Sequence, residues 1–383
     1  MNPTLIRLSD PDITREELEA VSEVLQSPRL AGGPVVEAFE EAFAQYIGRK
    51  HAIAVASGTI GLLLALKASG IGAGHEVVAS PYSWREGAHA ISLAGAKPVF
   101  ADIDYWAGTL APEKAEAAIT ADTRALIASN VNGHPAPWAP LQELTKRSGL
   151  VLIEDSTEAI GSHYQGRPVG TFGDVSVFDF SEPGPLTCGE GGMVVTDDDE
   201  IARLIRALRG RKPEERSSVV IGATVPSQAG MSDLSATLGL TQLKRIDTIL
   251  AKRKQTEAFY LDYAQSFEGI KPPYIAPEVD EVHWFLYLVH LGTRFSRSSR
   301  DAIIDDLKTE SIESAAYASP LYTQRYYLDL GYRRGAFFVT EKVADRAIAL
   351  PFHTHLTEEQ IAFVIGTMKD ASINVGAGTA IYL

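Results

Sequence analysis

Short apolar runs alternate with longer amphipathic segments along the chain after residue 50. The apolar runs are dense in Val, Ile, Leu and Ala, which is typical of strands covered on both faces of a parallel sheet. Alternation of such strands with helical segments predicts an α/β fold with a mainly parallel central sheet. The predicted strands are HAIAVAS, GHEVVASP, AKPVFADID, TRALIASNV, LVLIEDS, VSVFDFS and GGMVVTD.

The pattern changes at about residue 197, where helical segments predominate. A long helical stretch, SDLSATLGLTQLKRIDTILAKRKQTEAFYLDYAQ, precedes a predicted strand, VHWFLYLVHL, and two predicted helices, SRDAIIDDLKTE and TEEQIAFVIGTMKDA. A chain of 383 residues exceeds what one hydrophobic core usually serves. We therefore expect a large α/β domain over residues 1–240 and a smaller carboxy-terminal α+β domain over residues 241–383. The Gly-rich tail NVGAGTAIYL is expected to be irregular.

The amino-acid composition indicates which classes of protein the chain can belong to. With 45% hydrophobic and 22% charged residues, the chain has the composition of a soluble globular protein. A formal net charge of −14 argues against binding to nucleic acid or to an anionic membrane, since both need a positive face. One cysteine forms no internal disulfide, and the amino terminus does not resemble a secretory signal. We expect a cytoplasmic protein.

A first candidate site is ASGTIGL, where a Ser-Gly-Thr turn joins a predicted strand to a predicted helix. Backbone amides at such a turn, together with the helix N-terminus, form an anion site suited to phosphate. The alternative is that Ser57 and Thr59 only cap the helix. The motif alone favours capping.

A second candidate is LIEDSTEAIG, which places Glu154 and Asp155 at the carboxyl end of a strand, where open α/β sheets bind ligands. A carboxylate there can pair with a protonated ring nitrogen or serve as a cap. Trp84 follows another strand end and stacks on a flat ligand or belongs to the core.

Other polar residues are weaker candidates. His134 follows a strand end, and Lys212 lies after the GEGG turn, so both are candidate substrate contacts. Cys188 has no identifiable histidine partner and is interpreted as a small buried residue. His353 and His355 stand at strand spacing, but we assign no metal site.

The order and spacing of these motifs resemble the DegT/DnrJ/EryC1/StrS family over nearly the whole chain. The resemblance is carried by the stretches VLIEDSTEAIGSHYQGRPVGTFGDVSVFDFS, GEGGMVVTDDDE, MSDLSATLGLTQLKRID and AIALPFHTHLTEEQI. It implies a fold-type I, pyridoxal-phosphate-dependent aminotransferase fold, action on keto-sugars or aminocyclitol precursors, and a homodimer with sites at the subunit interface. It also implies that Gly58 and Thr59 meet the cofactor phosphate, Trp84 stacks on the ring and Asp155 pairs with the ring nitrogen.

The departures from the family are as informative as the matches. In FDFSEPGPLTCGEGG, Gly184 stands where the family has its Schiff-base lysine, and Asp179 stands where it has a phosphate-binding serine. Glu158 replaces a Gln or His. The family's Gly-x-Asn-x-Arg appears as PSQAG, which gives Gln228 and Gly230. Two like charges about 4 Å apart repel by roughly 4 kcal/mol at an effective dielectric constant near 20, so Asp179 disfavours a phosphate.

These departures lead to three hypotheses. The first is a divergent enzyme that acts on a small polar metabolite without covalent pyridoxal phosphate, with Glu158, Asp179 and Glu182 as a carboxylate cluster for acid–base catalysis. The second is a dehydratase-like or related enzyme that uses non-covalent pyridoxamine phosphate. The third is a non-catalytic partner subunit of an active homologue. An ordinary transaminase needs a lysine that this sequence does not supply.

Overall fold

A seven-stranded sheet organises the first half of the molecule. The computed structural model describes residues 5–84, 87–210, 225–264 and 270–380. The sheet order is β1-β9-β8-β5-β4-β2-β3. All neighbours are parallel except β9, which runs antiparallel to β1 and β8. The strands are β1 His51–Val55, β2 Glu76–Ala79, β3 Lys97–Phe100, β4 Thr123–Ser129, β5 Val151–Asp155, β8 Val175–Asp179 and β9 Gly192–Thr196.

All seven strands predicted from the apolar runs are therefore confirmed, as is the mainly parallel sheet. The strands are short and almost entirely buried, as expected for a sheet covered on both faces. Helices α2, α3, α4, α6 and α7 pack against strands of this sheet. The helices of this part of the chain are α1 Arg15–Leu25, α2 Pro34–Ile47, α3 Gly58–Ala68, α4 Ala88–Leu93, α5 Pro112–Ala117, α6 Trp138–Ser148 and α7 Asp199–Arg209.

A four-stranded antiparallel sheet of order β10-β12-β14-β13 lies in the second half of the chain. Its strands are β10 Ile270–Lys271, β12 Tyr287–Leu291, β13 Ala315–Ala316 and β14 Ala347–Leu350. A three-stranded sheet joins β11 Val279–Glu281 to the hairpin of β6 His163–Tyr164 and β7 Arg167–Pro168. The remaining helices are α8 Asp233–Lys244, α9 Ile246–Ala264, α10 Arg297–Thr309, α11 Arg325–Asp329, α12 Phe338–Ala344 and α13 Glu358–Ala380, with a 3₁₀ turn at Leu321–Thr323.

The two halves share buried apolar packing. One core cluster contains Leu126 and Leu152 from the large sheet together with Val289 and Ile348 from the small sheet. The predicted division at residue 240 falls inside α8 and stays a prediction. The expectation of an irregular tail is wrong, because α13 continues to Ala380. Its earlier turns pack against α9 and α10, and this packing outweighs the low helix propensity of glycine.

Candidate functional site

The candidate site is a cavity at the carboxyl edge of the large sheet. Strands β1, β5 and β8 run in the same direction, so their carboxyl ends meet there. The cavity has a volume of about 280 Å³. Its described lining combines hydroxyl groups, two carboxylates and an indole: Ser57, Thr59, Leu62, Trp84, Gly87, Thr157, Asp179, Ser181 and Glu190. Open α/β sheets bind ligands at this edge.

The turn between β1 and α3 holds an internal carboxylate. The Gly58 amide, the first of α3, donates a 2.7 Å hydrogen bond to Oδ2 of Asp179. Oδ1 of Asp179 accepts from the Ser181 amide at 2.9 Å and from the Ser181 hydroxyl. A Cβ on Gly58 would lie 2.8 Å from the Cβ of Asp179, so only glycine permits this approach. An aspartate side chain therefore occupies the anion-binding amide of this helix N-terminus.

The Ser-Gly-Thr turn was interpreted either as a helix cap or as an anion site, and the geometry has features of both. Ser57 is the N-cap of α3, and its hydroxyl oxygen accepts from the Ile60 amide at 3.3 Å. Thr59 lies two residues after Ser57 and lines the cavity. The turn thus caps the helix and also presents an anion site, which Asp179 fills from within the chain.

Asp155 ends β5 and is only 1% exposed. Its oxygens accept hydrogen bonds from the Ser129 hydroxyl at 2.8 Å and the Thr157 hydroxyl at 2.7 Å. Burial raises the pKa of Asp155, and the negative charge of Asp179 raises it further, against the lowering effect of the Thr157 and Ser129 hydrogen bonds. Asp155 therefore lies beside the cavity with its charged form disfavoured.

Glu154 has a purely structural environment. Consecutive residues of a strand point to opposite faces, so Glu154 turns away from Asp155. It is fully buried and accepts hydrogen bonds from the amides of Phe172 at 2.8 Å and Gly173 at 3.1 Å and from the Ser176 hydroxyl at 2.9 Å. These donors hold the β7–β8 connection against β5.

Glu158 positions the indole of Trp84. Its Oε1 accepts from the Trp84 amide at 2.8 Å, and its Oε2 accepts from the Asn132 amide at 2.7 Å and from the Tyr317 hydroxyl. The Tyr317 ring stacks on Trp84, with centroids 5.7 Å apart and planes 22° apart. Glu158 is 3% exposed and is absent from the described lining of the cavity. The structure thus places this predicted catalytic carboxylate behind Trp84.

The β8–β9 loop carries two other predicted site residues. Glu182 is exposed, and the described lining of the cavity does not include it. A Cβ built on Gly184 would meet its nearest neighbours at 3.7–3.8 Å, which is ordinary van der Waals contact. One of these neighbours is Phe285, which packs edge-on against Trp84 with centroids 6.4 Å apart. A Cβ is therefore accommodated at position 184, close to the Phe285 ring.

The predicted carboxylate cluster is not brought together as one group around the cavity: of Glu158, Asp179 and Glu182, only Asp179 belongs to its described lining. His134 is also remote from that lining. Its Nδ1 lies 2.8 Å from the Pro135 carbonyl oxygen and its Nε2 accepts from the Ala276 amide at 3.1 Å, while burial lowers its pKa.

One further predicted residue lies elsewhere. Gln228 is exposed, has a positive φ of 54° and lines a separate cavity of about 300 Å³ beside Arg206 and Arg209. Lys212 falls outside the described residues.

The cysteine and histidine candidates keep ordinary structural roles. Cys188 is buried, its thiol donates to the Glu190 carbonyl at 3.4 Å, and burial raises its pKa. His353 is buried, with its pKa lowered by burial to about 4. Within the described ranges, no three His, Cys, Asp or Glu side chains are arranged to hold a metal ion. No helix in the described part of the chain is long and apolar enough to cross a bilayer.

Several residues of the site carried no clear signal in the sequence. Thr157 follows Asp155 by two residues and bonds to it, and an Asx-type turn after a strand end would have suggested it. Ser181 repeats this relation with Asp179. Tyr317 is distant in the chain from Trp84, so no local pattern indicates their stacking.

A mainly parallel sheet with a strand–turn–helix, the buried Asp155 at the end of β5 and Trp84 at its carboxyl edge agrees with the fold-type I aminotransferase class, to which similar solved structures belong. The chain belongs to the DegT/DnrJ/EryC1/StrS aminotransferase family, whose family model matches residues 11–369. This confirms the resemblance found in the sequence.

Individual relatives match over almost their full length. The spore coat polysaccharide biosynthesis protein SpsC of Bacillus subtilis is 33% identical over 371 residues, which cover 94% of this chain and 95% of SpsC. The structure of S. venezuelae DesV in complex with a ketimine intermediate superposes with a TM-score of 0.88 at 31% identity, covering 96% of this chain and 98% of DesV. Streptococcus pneumoniae Spr1654 in its PMP form gives a TM-score of 0.92 at 25% identity, covering 98% of this chain and all of Spr1654.

The residues of this cavity do not fit a pyridoxal phosphate held through a Schiff base. Its described lining contains no lysine, and the carboxylate of Asp179 takes the helix N-terminal amide that a phosphate would use. Trp84 and Asp155 do suit a flat heteroaromatic ring. The described lining thus offers an aromatic face next to a turn whose amide is already bonded to a side chain.

Proposed function

We propose that this protein is a sugar-modifying biosynthetic enzyme of the family that acts on its substrate without a covalent pyridoxal phosphate. One observation carries the proposal: the Asp179 carboxylate accepts the Gly58 amide at the N-terminus of α3. The glycine at position 184 supports it, because the family resemblance assigns the Schiff-base lysine to that position.

Electrostatics decides between a phosphate and a side chain at this turn. A phosphate about 4 Å from the Asp179 carboxylate would be repelled by roughly 4 kcal/mol at an effective dielectric constant near 20. Such a repulsion weakens binding about a thousandfold. The Asp179 carboxylate instead accepts hydrogen bonds from two backbone amides and one hydroxyl. It belongs to the chain, so no anion from solution is needed at this turn. An internal anion therefore replaces the cofactor phosphate in this proposal.

The cavity offers the groups that a sugar needs. The Asp179 carboxylate accepts hydrogen bonds from sugar hydroxyls, and the Ser181 and Thr157 hydroxyls both donate and accept them. The Trp84 indole provides an apolar face for the sugar ring. Relatives named as sugar aminotransferases or as a polysaccharide biosynthesis protein support a sugar substrate. In this proposal Asp179 exchanges a proton with the bound sugar, and Glu158 acts as a positioning residue through Trp84.

The proposal is tested by rebuilding the family site. We expect wild-type protein to stay colourless with pyridoxal phosphate and to yield no adduct after borohydride reduction and mass spectrometry. The double variant Asp179→Ser/Gly184→Lys is expected to gain an aldimine absorbance band and a reducible adduct at residue 184, because a Cβ at that position meets only ordinary contacts. Trapping an adduct on the wild-type protein would overturn the proposal.

A matched control comes from the same loop. Glu182 is exposed and lies two residues before Gly184. Glu182→Lys in the Asp179→Ser background adds one lysine to the loop but not at the proposed position, so it should yield no specific adduct. An equal yield of adduct from this control would show that trapping reports only a nearby amine.

A second candidate function, the use of non-covalent pyridoxamine phosphate, is favoured by Trp84 and Asp155, which suit a flat ring. Spr1654 has a PMP form, and Trp84 and Asp155 are present here. Non-covalent pyridoxamine phosphate would then supply amine chemistry, with no lysine required. Calorimetry with pyridoxamine phosphate distinguishes the two functions: tight binding to the wild type supports the second, while binding that appears only in Asp179→Ser supports the first.

The cytoplasmic location and the homodimer also belong to this proposal. Light scattering of the purified chain tests the dimer, and turnover by that homodimer alone would exclude a non-catalytic partner subunit.

A further inference from the structure

We propose that Arg253 and Asn132 act together as positioning residues for Trp84, the aromatic wall of the cavity. They hold two successive peptide groups between them, and the residue that joins these groups, Phe285, packs its ring against Trp84. The functional meaning of this inference rests on the proposed function, in which Trp84 offers an apolar face to a sugar ring. The placement of Trp84 itself does not depend on which ligand the cavity takes.

Arg253 lies on α9 and is a buried cation that bonds to carbonyl oxygens. It is 5% exposed, and within the described residues its guanidinium makes no ion pair with a carboxylate. Its Nε has no hydrogen-bond partner among those residues, and burial lowers the pKa of Arg253 to about 9. Burying a charge in this way is costly, so stability alone does not account for an arginine at this position.

The guanidinium of Arg253 contacts two separate segments of the chain. Its Nη2 carries two hydrogens and donates to the carbonyl oxygens of Trp284 and Phe285, both at 2.8 Å. Its Nη1 donates to the carbonyl oxygen of Phe352 at 3.1 Å, and the guanidinium carbon lies 4.4 Å from the centroid of the Phe352 ring. Arg253 therefore fixes the segment before β12 against α9 and against the turn after β14.

Asn132 holds the other side of the same peptide groups. Its backbone carbonyl accepts from the Phe285 amide at 3.2 Å, and its side-chain Oδ1 accepts from the Leu286 amide at 3.0 Å. The Phe285 amide shares a peptide group with the Trp284 carbonyl, and the Leu286 amide shares one with the Phe285 carbonyl. Each peptide group thus donates to Asn132 and accepts from a cation, an alignment in which the charge strengthens both hydrogen bonds.

The network reaches Trp84 by two routes. The Phe285 ring packs edge-on against the Trp84 indole, with centroids 6.4 Å apart. The Asn132 amide donates to Glu158 at 2.7 Å, and Glu158 also accepts from the Trp84 amide at 2.8 Å. Asn132 has a φ of 52°, a left-handed conformation that is uncommon for residues other than glycine. In this conformation its amide and its two carbonyl groups serve different partners.

The test uses fluorine NMR of the full-length protein labelled with fluorotryptophan. The chain contains four tryptophans, whose resonances are assigned by single Trp→Phe substitutions. We expect Arg253→Lys to shift the Trp84 resonance by more than its linewidth, because an ammonium on a flexible stem does not reproduce the planar fork of donors. Trp284 should shift as well, since Arg253 bonds to its carbonyl, whereas the exposed Trp106 should keep its position.

Arg245→Lys is the matched control. Arg245 is also a largely buried arginine, but its partners are the carboxylates of Asp12 and Glu17. This variant should lower the free energy of unfolding and leave the Trp84 resonance at its wild-type position. A shift of equal size in Arg245→Lys would show that the resonance reports general loosening of the fold, and it would overturn the inference.

Asn132→Gly tests the other side of the network. Glycine keeps the left-handed backbone and removes the Oδ1 acceptor of the Leu286 amide. We expect it to shift the Trp84 resonance too, so it decides the inference even if Arg253→Lys fails to fold. An unchanged Trp84 resonance in either variant, once circular dichroism shows it to be folded, would overturn the inference. An adduct of pyridoxal phosphate on the wild type would defeat the proposed function but not this placement of Trp84.

Discussion

Two groups of carboxylates in this protein have different surroundings: Asp12, Glu17 and Asp155 are buried, whereas Asp179 is only partly buried. Asp12 and Glu17 share Arg245, whose guanidinium lies 2.6 Å from Asp12 and 2.5 Å from Glu17. Asp155 and Asp179 have hydroxyl and amide donors around them. We call the first group the N-terminal ion cluster and the second the cavity carboxylates. The first ties the segment before α1 to α8 and α9, and the second borders the cavity.

The pKa of Asp12 is lowered, whereas the pKa of Asp155 is raised. Burial opposes ionisation of Asp12, yet hydrogen bonds from Lys252 and Arg245 lower its pKa to about 2. Burial raises the pKa of Asp155, and the charge of Asp179 adds to the rise. The ion-paired Asp12 therefore stabilises the fold in its charged form, whereas burial disfavours the charged form of Asp155.

The largest expected effect comes from removing the cation of the N-terminal ion cluster. Arg245→Ala leaves Asp12 and Glu17 buried with Lys252 alone beside Asp12, and breaking a buried pair typically costs about 3–5 kcal/mol. We expect a loss of that size in the free energy of unfolding measured by urea denaturation. Arg203→Ala is the control, because the Arg203–Glu200 pair is exposed and such pairs are worth about 0–1 kcal/mol. Similar losses in both variants would contradict the comparison.

An intermediate loss in the free energy of unfolding is expected for a substitution at Glu158. Glu158→Gln replaces one acceptor oxygen with an NH₂ group that faces backbone or hydroxyl donors, so at least one donor loses its partner. The expected cost is about 1–3 kcal/mol in urea denaturation. Tyr317→Phe removes one donor only and should cost less. A Glu158→Gln protein as stable as the wild type would show that Trp84 is held by other contacts.

The smallest change at neutral pH is expected for Asp155→Asn. Because the folded-state pKa of Asp155 is raised, its ionisation costs stability as the pH rises above its ordinary value near 3.8. The stability of Asp155→Asn relative to wild type should therefore increase with pH. The stability of Asp12→Asn relative to wild type should instead decrease as the pH rises from about 2 to 4. The lowered pKa of Asp12 stabilises the wild type above this range, and that stability is lost as the pH falls toward 2. Urea denaturation across pH 2–7 measures both, and parallel profiles would remove the distinction.

The sequence allowed the arrangement of the large sheet to be predicted because buried strands leave a local pattern. The runs that became β1, β5 and β8 are almost continuous in apolar residues, and polar residues follow where each strand ends. That pattern also placed Asp155 and Trp84 at strand ends, whereas the hypothesis that Gly184 and Asp179 depart from the family came from the family resemblance and stays a prediction. The clustering of Glu158, Asp179 and Glu182 did not follow, because spacing along a chain does not specify which way each side chain points.

By itself, the sequence determined the fold class, the family and the absence of a lysine at residue 184, since these depend on apolar periodicity and on the identity of residues within motifs. The tertiary structure decided that Asp179 occupies the helix N-terminus, that Glu158 lies behind Trp84 and that Arg245 neutralises Asp12. These contacts join residues that are up to 233 positions apart in the chain. They arise from packing in three dimensions, which no local pattern encodes, and packing determines which groups surround each carboxylate.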